Sequence, residues 1–138
     1  MRFYIASGIK NGERVSQLSR VLKGRGHELT YDWTERGDIR SEGESIMSEV
    51  AFNELRAVRD AELVIVLLPG GAGTHTELVV AIATRSNKRI LIWSEEGAEF
   101  CGDERTCTFY FHSSVERIVC PFEELIQRLD SEYIDSNF

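Results

Sequence analysis

Proline is scarce, with Pro69 and Pro121 alone among 138 residues, so proline-rich spacers are excluded, and no repeat or low-complexity stretch is present. Cysteine is little used. Cys101, Cys107 and Cys120 are an odd number without C-x-x-C spacing and meet only three histidines, which argues against a disulfide framework or a structural zinc site. Long apolar runs are missing too. The longest, Leu63 to Leu68, falls far short of the roughly 20 residues that cross a bilayer. Bases are in deficit: 16 Lys and Arg against 23 Asp and Glu leave a formal charge of −7. That balance argues against duplex nucleic acid, whose phosphates call for clustered cations. Small anionic ligands stay open, because backbone amides can oppose the global sign. The opening Met1 to Ile5 reads as strand, not as an apolar leader, so a soluble, cytoplasmic protein with no membrane partner is expected. With 42% apolar and 28% charged residues, the chain suits a single domain over 1–138 with one continuous core.

What is there alternates. Phe3 to Ala6 reads as a strand that turns at Ser7-Gly8; Val15, Leu18, Val21 and Leu22 recur at helical spacing before Gly24-Arg25-Gly26. Leu29 to Trp33 reads as a second strand, and the polar Thr34 to Gly43 as a loop. Ser41 with Glu44 predicts a capping box for a helix from about Gly43 to Asp60. The continuous run Leu63 to Leu68 predicts a central strand buried on both faces. Leu78 to Ala83 reads as a buried helix, Arg89 to Trp93 and Val115 to Val119 as the last strands. Phe122, Leu125, Ile126 and Leu129 mark a final helix. The fold class that follows is α/β: a flavodoxin-like or Rossmann-like doubly wound sheet of five parallel strands, order 2-1-3-4-5. Ligands of such sheets bind past the strands' carboxyl ends where the order reverses, here between Ser7-Gly8-Ile9-Lys10 and Pro69 to Thr74.

The turn Pro69-Gly70-Gly71-Ala72-Gly73-Thr74-His75-Thr76-Glu77 joins the central strand to a helix. Gly70, Gly71 and Gly73 let the backbone approach a ligand closely and take positive φ. The helix start then offers amides to a phosphate or a sugar hydroxyl. Neither the Gly-Lys-Ser/Thr ending of a Walker loop nor G-x-G-x-x-G is present. Thr74 and Glu77 also make a T-x-x-E capping box, so Glu77 has two possible uses, cap or reactive carboxylate. Helix-end polarity favours the ionised form that a nucleophile needs.

Tyr4-Ile5-Ala6-Ser7-Gly8-Ile9, Glu54-Leu55-x-x-Val58-x-x-Ala61-Glu62 and Gly73-x-x-x-Glu77-Leu78 with Ala81 resemble the nucleoside 2-deoxyribosyltransferase family, with its 2'-deoxynucleoside 5'-phosphate N-hydrolase relatives, over roughly residues 2 to 93. The resemblance implies cleavage or transfer of an N-glycosidic bond through a glycosyl-enzyme, with retention. On it, Glu77 is the nucleophile, Glu54 assists at the base and Tyr4 orients Glu77. Ser7, Gly8, Ile9 and Lys10 hold the 5'-phosphate and flank the base, beside the cradle of Gly70, Gly71, Gly73 and Thr74. It implies a small-molecule nucleoside or nucleotide partner and a homo-oligomer. No metal or cofactor is expected, since carboxylates alone can serve an oxocarbenium-like transition state. The chain departs from the family at Glu54, where an aspartate is usual, at Gly71, where the transferases carry an acid, and at Val79, where glycine is frequent.

The string from Pro69 to Glu77 also fits the P-G-G-x-G-T-x-x-E signature of the lysine-decarboxylase-like cytokinin-activating phosphoribohydrolases, without that family's second glycine cluster. A nucleotide-binding module without turnover is the reading from another class. Trp33 is a candidate to stack on a base or to pack half-buried. His75 and the aromatic stretch around His112 are open to ligand contact or packing, and Glu95, Glu96, Glu99, Asp103 and Glu104 read as a solvated loop. Cys101 and Cys107 lack a base partner for thiolate chemistry.

Overall fold

The structure is a computed structural model and describes residues 1–135. Five strands, β1 (Arg2–Ser7), β2 (Glu28–Leu29), β3 (Leu63–Leu67), β4 (Arg89–Ser94) and β5 (Val115–Val119), form one all-parallel sheet in the order β2-β1-β3-β4-β5. The expected order is the observed one. Helices α1 (Gly12–Gly24), α2 (Glu44–Asp60), α3 (Ala72–Ala83) and α4 (Phe122–Asp135) connect and cover it. Among the described residues no helix is long and apolar enough to cross a membrane.

All five residues of β3 are buried, because helices cover both faces of the sheet at its centre. Alternation along β1 then divides the core. Phe3 and Ile5 pack with Leu18 of α1, Trp93 of β4 and Leu125 of α4; Tyr4 and Ala6 pack with Val58 of α2 and Leu78 and Ala81 of α3. Phe3 to Ser7 pair residue for residue with Leu63 to Leu67, so β1 and β3 end level. There the Ser7 hydroxyl donates to the Leu67 carbonyl at 2.6 Å.

Three expectations need correction. The second strand does not run from Leu29 to Trp33: pairing stops after Glu28 and Leu29, with one further bond from Thr30 N to Phe3 O at 2.9 Å. The Asp32 carboxylate then accepts from Thr34 N at 3.0 Å and starts a 3-10 turn over Trp33–Glu35. Ser41 does not cap α2; the cap is Gly43, at φ 95°, and it makes no side-chain bond. The helix after the glycine turn begins at Ala72, six residues before Leu78, because the turn's small residues are already helical.

Candidate active site

A pocket of about 430 Å³ opens where β1 and β3 end, on the side covered by α2 and α3. Its floor is two loops in contact. Gly8 N donates to Pro69 O at 3.3 Å, and a Cβ on Gly8 would stand 3.0 Å from that oxygen. A Cβ on Gly70 would stand 2.4 Å from Thr74 Cγ2. Close approach is what these two positions require. Positive φ is not: Gly71 has φ −95°, and Gly70 and Gly73 are likewise outside the left-handed region, contrary to expectation.

Glu77 is not a cap. Gly71 is the N-cap of α3 and makes no side-chain bond, while Thr74 lies inside the helix with its side chain buried against Gly70. Five residues past the start of α3, Glu77 points at β1 instead, and its Oε2 accepts the hydroxyl proton of Tyr4. Tyr4 is wholly buried in the sheet, so a rigid strand holds the phenol and a helix holds the carboxylate. Burial raises the Glu77 pKa to about 8; the Tyr4 hydrogen bond opposes this and the Glu54 charge adds to it. The helix terminus therefore does not decide its ionisation; desolvation does, against expectation. Glu54, on α2, lines the same pocket and its carboxyl is also pushed up by burial. Burial and the nearby Glu77 and Glu54 charges raise Tyr4 far above the ordinary phenol range, so it stays a donor.

The pocket brings together most of the residues singled out from sequence. Ser7, Gly8, Ile9, Trp33, Gly71, Gly73, Thr74, Glu54 and Glu77 line it; Tyr4 does not, and is linked to it only through its bond to Glu77. Trp33 is fixed at its wall by Nε1 donating to Ile5 O at 2.7 Å. Two residues lie elsewhere. Lys10 lines a separate groove with Gly12, Glu13 and Arg20 along α1, and Gly70 lines a cavity behind the turn with His75 and Tyr110. His75 is a brace for the turn. Its Nδ1–H donates to Gly71 O at 2.7 Å, since a carbonyl can only accept, and Nε2 then accepts the Tyr110 hydroxyl at 2.5 Å. His112 Nδ1 accepts from Ser114 N at 3.1 Å. Among the described residues no three His, Cys, Asp or Glu side chains group to hold a metal ion.

Sequence reasoning missed a further part of the wall, formed by Tyr31, Arg36, Asp38 and Arg40 of the loop after β2 and by Met47 and Val50 of α2. Met47, Val50 and Glu54 recur at helical spacing, a signal that could have found the α2 half of that wall. Nothing comparable marks Arg36 and Arg40 in an aperiodic loop. Arg40 is clasped by Asp38 through contacts of 2.9, 3.1 and 2.5 Å. Arg36 stands 3.8 Å from Glu49.

Chemically, the pocket presents two half-buried carboxyls with raised proton affinity and one phenol that donates to the deeper of them. Burial keeps the Glu77 carboxyl protonated up to about pH 8, so its carboxylate is the minor form at neutral pH.

No family model matches the chain, and no curated protein matches it in sequence. Its architecture recurs in solved structures. A CMP N-glycosidase, BcmB, from Clostridium botulinum superposes with a TM-score of 0.63 at 20% identity, covering 94% of this chain and 99% of that one. A conserved protein from Enterococcus faecalis V583 gives 0.58 at 19% identity, covering 96% and 98%. At such identities the likeness is one of fold: an α/β, Rossmann-like sheet of five parallel strands.

Proposed function

We propose that this chain cleaves or transfers the N-glycosidic bond of a nucleoside or nucleoside 5'-monophosphate, with Glu77 as nucleophile. The hydrogen bond from buried Tyr4 to Glu77, in a pocket that Glu54 also lines, carries the reading. Tyr4 and the helix hold the carboxylate in one orientation, so an anomeric carbon seated in the pocket meets it without further ordering. The fold shared with a CMP N-glycosidase supports the reaction class.

The reaction runs from the form with one proton on the carboxyl pair. With the proton on Glu54, the Glu77 carboxylate bonds to C1', the C1'–N bond breaks, and its electron pair leaves with the base, which takes the Glu54 proton. Glu54, now a carboxylate, accepts a proton from water or from an incoming base as that group displaces Glu77. Burial raises both carboxyls and holds a proton on Glu77 up to about pH 8, so the reactive arrangement is the minor one in which that proton has passed to Glu54. The carboxylates supply this chemistry without a cofactor. On the same reading residues 1–138 form one domain and act as a homo-oligomer, which the exposed Phe52 and Leu55 of α2 support.

Incubation with nucleosides and their 5'-monophosphates, with and without an acceptor base, tests this by chromatography of the free base. Release that disappears in Glu77→Gln is the expected result. Release unchanged in that variant would remove the nucleophile, and no release from any substrate would leave only a binding module.

A further inference from the structure

In a planar trans peptide the C=O of one residue and the N–H of the next point in opposite directions, so holding one aims the other. At the head of α3 that unit is Gly71–Ala72, and a single residue holds its carbonyl twice. His75 N–H donates to Gly71 O at 3.2 Å and His75 Nδ1–H donates to it at 2.7 Å. The carbonyl therefore runs along the helix, and the Ala72 N–H faces out of the helix start. Among the described residues no protein group bonds the N–H of Ala72, Gly73 or Thr74. All three residues line the pocket that holds Glu77.

Packing does not secure this peptide. Gly71 has no side chain to limit its φ, and a Cβ there would meet nothing within 4 Å. As N-cap it makes no side-chain bond either. His75 can hold it because the imidazole is itself held. Its Nε2 accepts the Tyr110 hydroxyl at 2.5 Å, and Tyr110 is buried, edge-on to Phe100 with ring centroids 5.7 Å apart. The Tyr110 carbonyl in turn accepts from Arg117 Nη1 at 3.2 Å. His75 lines the cavity behind the turn and not the pocket, so its influence on a ligand passes through Gly71.

We propose that His75 is a positioning residue that locks the Gly71–Ala72 peptide, so that the Ala72 N–H stands as a fixed donor to an oxygen of the bound sugar or of its phosphate. The assignment rests on the N-glycosidase reading above. A glycine peptide free to rotate would turn its carbonyl towards that oxygen, setting acceptor against acceptor. With the imidazole in place the dipole is set before the substrate arrives, and no reorganisation is needed as charge develops on the sugar. Nδ1 does the holding, because only an N–H can bond a carbonyl; Nε2 and Tyr110 aim the ring.

The test divides the imidazole into its halves. His75→Asn returns an N–H near the place of Nδ1, His75→Gln returns an acceptor near the place of Nε2, and His75→Ala removes both. Base release is followed from nucleosides and from their 5'-monophosphates, with thermal melting to check folding. His75→Gln and His75→Ala should lower kcat/KM about 100-fold, the cost of a group misplaced by roughly 1 Å. His75→Asn should keep most of the activity, and Tyr110→Phe, which leaves Nδ1 but frees the ring, should fall between. Losses on both substrate classes assign the bonded oxygen to the sugar, and losses on the monophosphates alone assign it to the phosphate. A merely structural role predicts the opposite order of the two amides, because glutamine is the better helix former. His75→Gln equal to or above His75→Asn would therefore overturn the assignment while leaving the N-glycosidase reading intact. Amide hydrogen exchange reads the lock without substrate. The N–H of residue 75 should exchange about tenfold faster in His75→Gln than in His75→Asn, the worth of one hydrogen bond, and equal exchange would also overturn the assignment. No base from wild type on any substrate would remove the N-glycosidase reading, and the exchange rates alone would then uphold or overturn the lock.

Discussion

Two wholly buried aromatic side chains carry a polar tip through this sheet, Trp93 on one face and Tyr4 on the other. Trp93 gives its Nε1–H to the Cys120 carbonyl at 2.9 Å and packs edge-on against Phe122, ring centroids 5.5 Å apart. Its partner is neutral and has no other use for the bond. Tyr4 gives its proton to Glu77, a carboxyl whose charge the same burial opposes. On the side of α1 and α4 the buried indole is therefore held by packing and a satisfied dipole. The side of α2 and α3 stores a titratable group at a cost in stability, as reactive sites do.

The largest effect that this contrast predicts is at Glu77. Glu77→Gln should reduce base release by three or more orders of magnitude, as loss of a covalent nucleophile does. It should also make the protein more stable. The folded-state pKa, about 8, lies above the unfolded value of 4.5, so the native protein binds more protons between them. Its contribution is therefore complete below pH 4.5 and is lost as pH rises towards 8, by on the order of 4 kcal/mol. Denaturant titrations at pH 5 and pH 8 should show wild type weakening with pH and the glutamine variant weakening less. Parallel curves would erase the distinction between the two faces.

On the other face, Trp93→Ala should destabilise by about 3–5 kcal/mol through the cavity left around Phe122 and Leu125. That loss should be the same at both pH values, because the groups beside the indole, the Arg14 guanidinium and the Cys120 thiol that burial pushes up, keep their charge between them. A Trp93 loss that grew with pH would tie the two faces together.

Gly70→Ala comes next. The new Cβ would meet Thr74 Cγ2, Cβ and Oγ1 at 2.4, 2.5 and 2.6 Å, and Thr74 is buried, so the turn has to shift. About 2 kcal/mol of overpacking is expected, with a fall in kcat as α3 and Glu77 move. Gly12→Ala at the start of α1 meets nothing within 4 Å and should be neutral or slightly stabilising by the same melts. Equal behaviour of the two glycines would deny the turn its close-packed role.

Much of this arrangement was legible in the sequence, and the failures have causes. Burial on both faces writes β3 as a continuous apolar run, and strands alternating with helices leave few parallel topologies, so the sheet order could be read. Trp33 was assigned to a strand because aromatics favour strands; Asp32 turned the chain first, by bonding Thr34 N. Helix α2 was given a serine cap, whereas Gly43 at φ 95° starts it with none. The roles expected of Glu77, Glu54 and Tyr4 come from the resemblance to the nucleoside 2-deoxyribosyltransferase family, and the fold places the three near one another. Lys10 is expected in the pocket because the loop Ser7 to Lys10 follows β1 at the switch point and matches the family's phosphate-holding loop, but the 3-10 turn over Ile9–Asn11 carries it to the α1 groove. Arg36 escaped notice because its place depends on Glu49 and Trp33, contacts that only the folded loop creates.

The smallest effect tests the contrast most directly. Tyr4→Phe keeps the ring in the core and removes only the proton that Glu77 accepts. The lost hydrogen bond should change stability by about 1 kcal/mol, far less than the Trp93 cavity. Its signature is in titration. The Tyr4 hydroxyl opposes the upward shift of Glu77, so without it the carboxyl should hold its proton to still higher pH. In kcat/KM against pH, the limb near pH 8 marks loss of the last proton from the Glu54 and Glu77 pair, and Tyr4→Phe should move that limb upward while lowering its plateau about tenfold. A limb that stayed in place, or moved down, would mean that the phenol does no more for Glu77 than the Cys120 carbonyl does for Trp93.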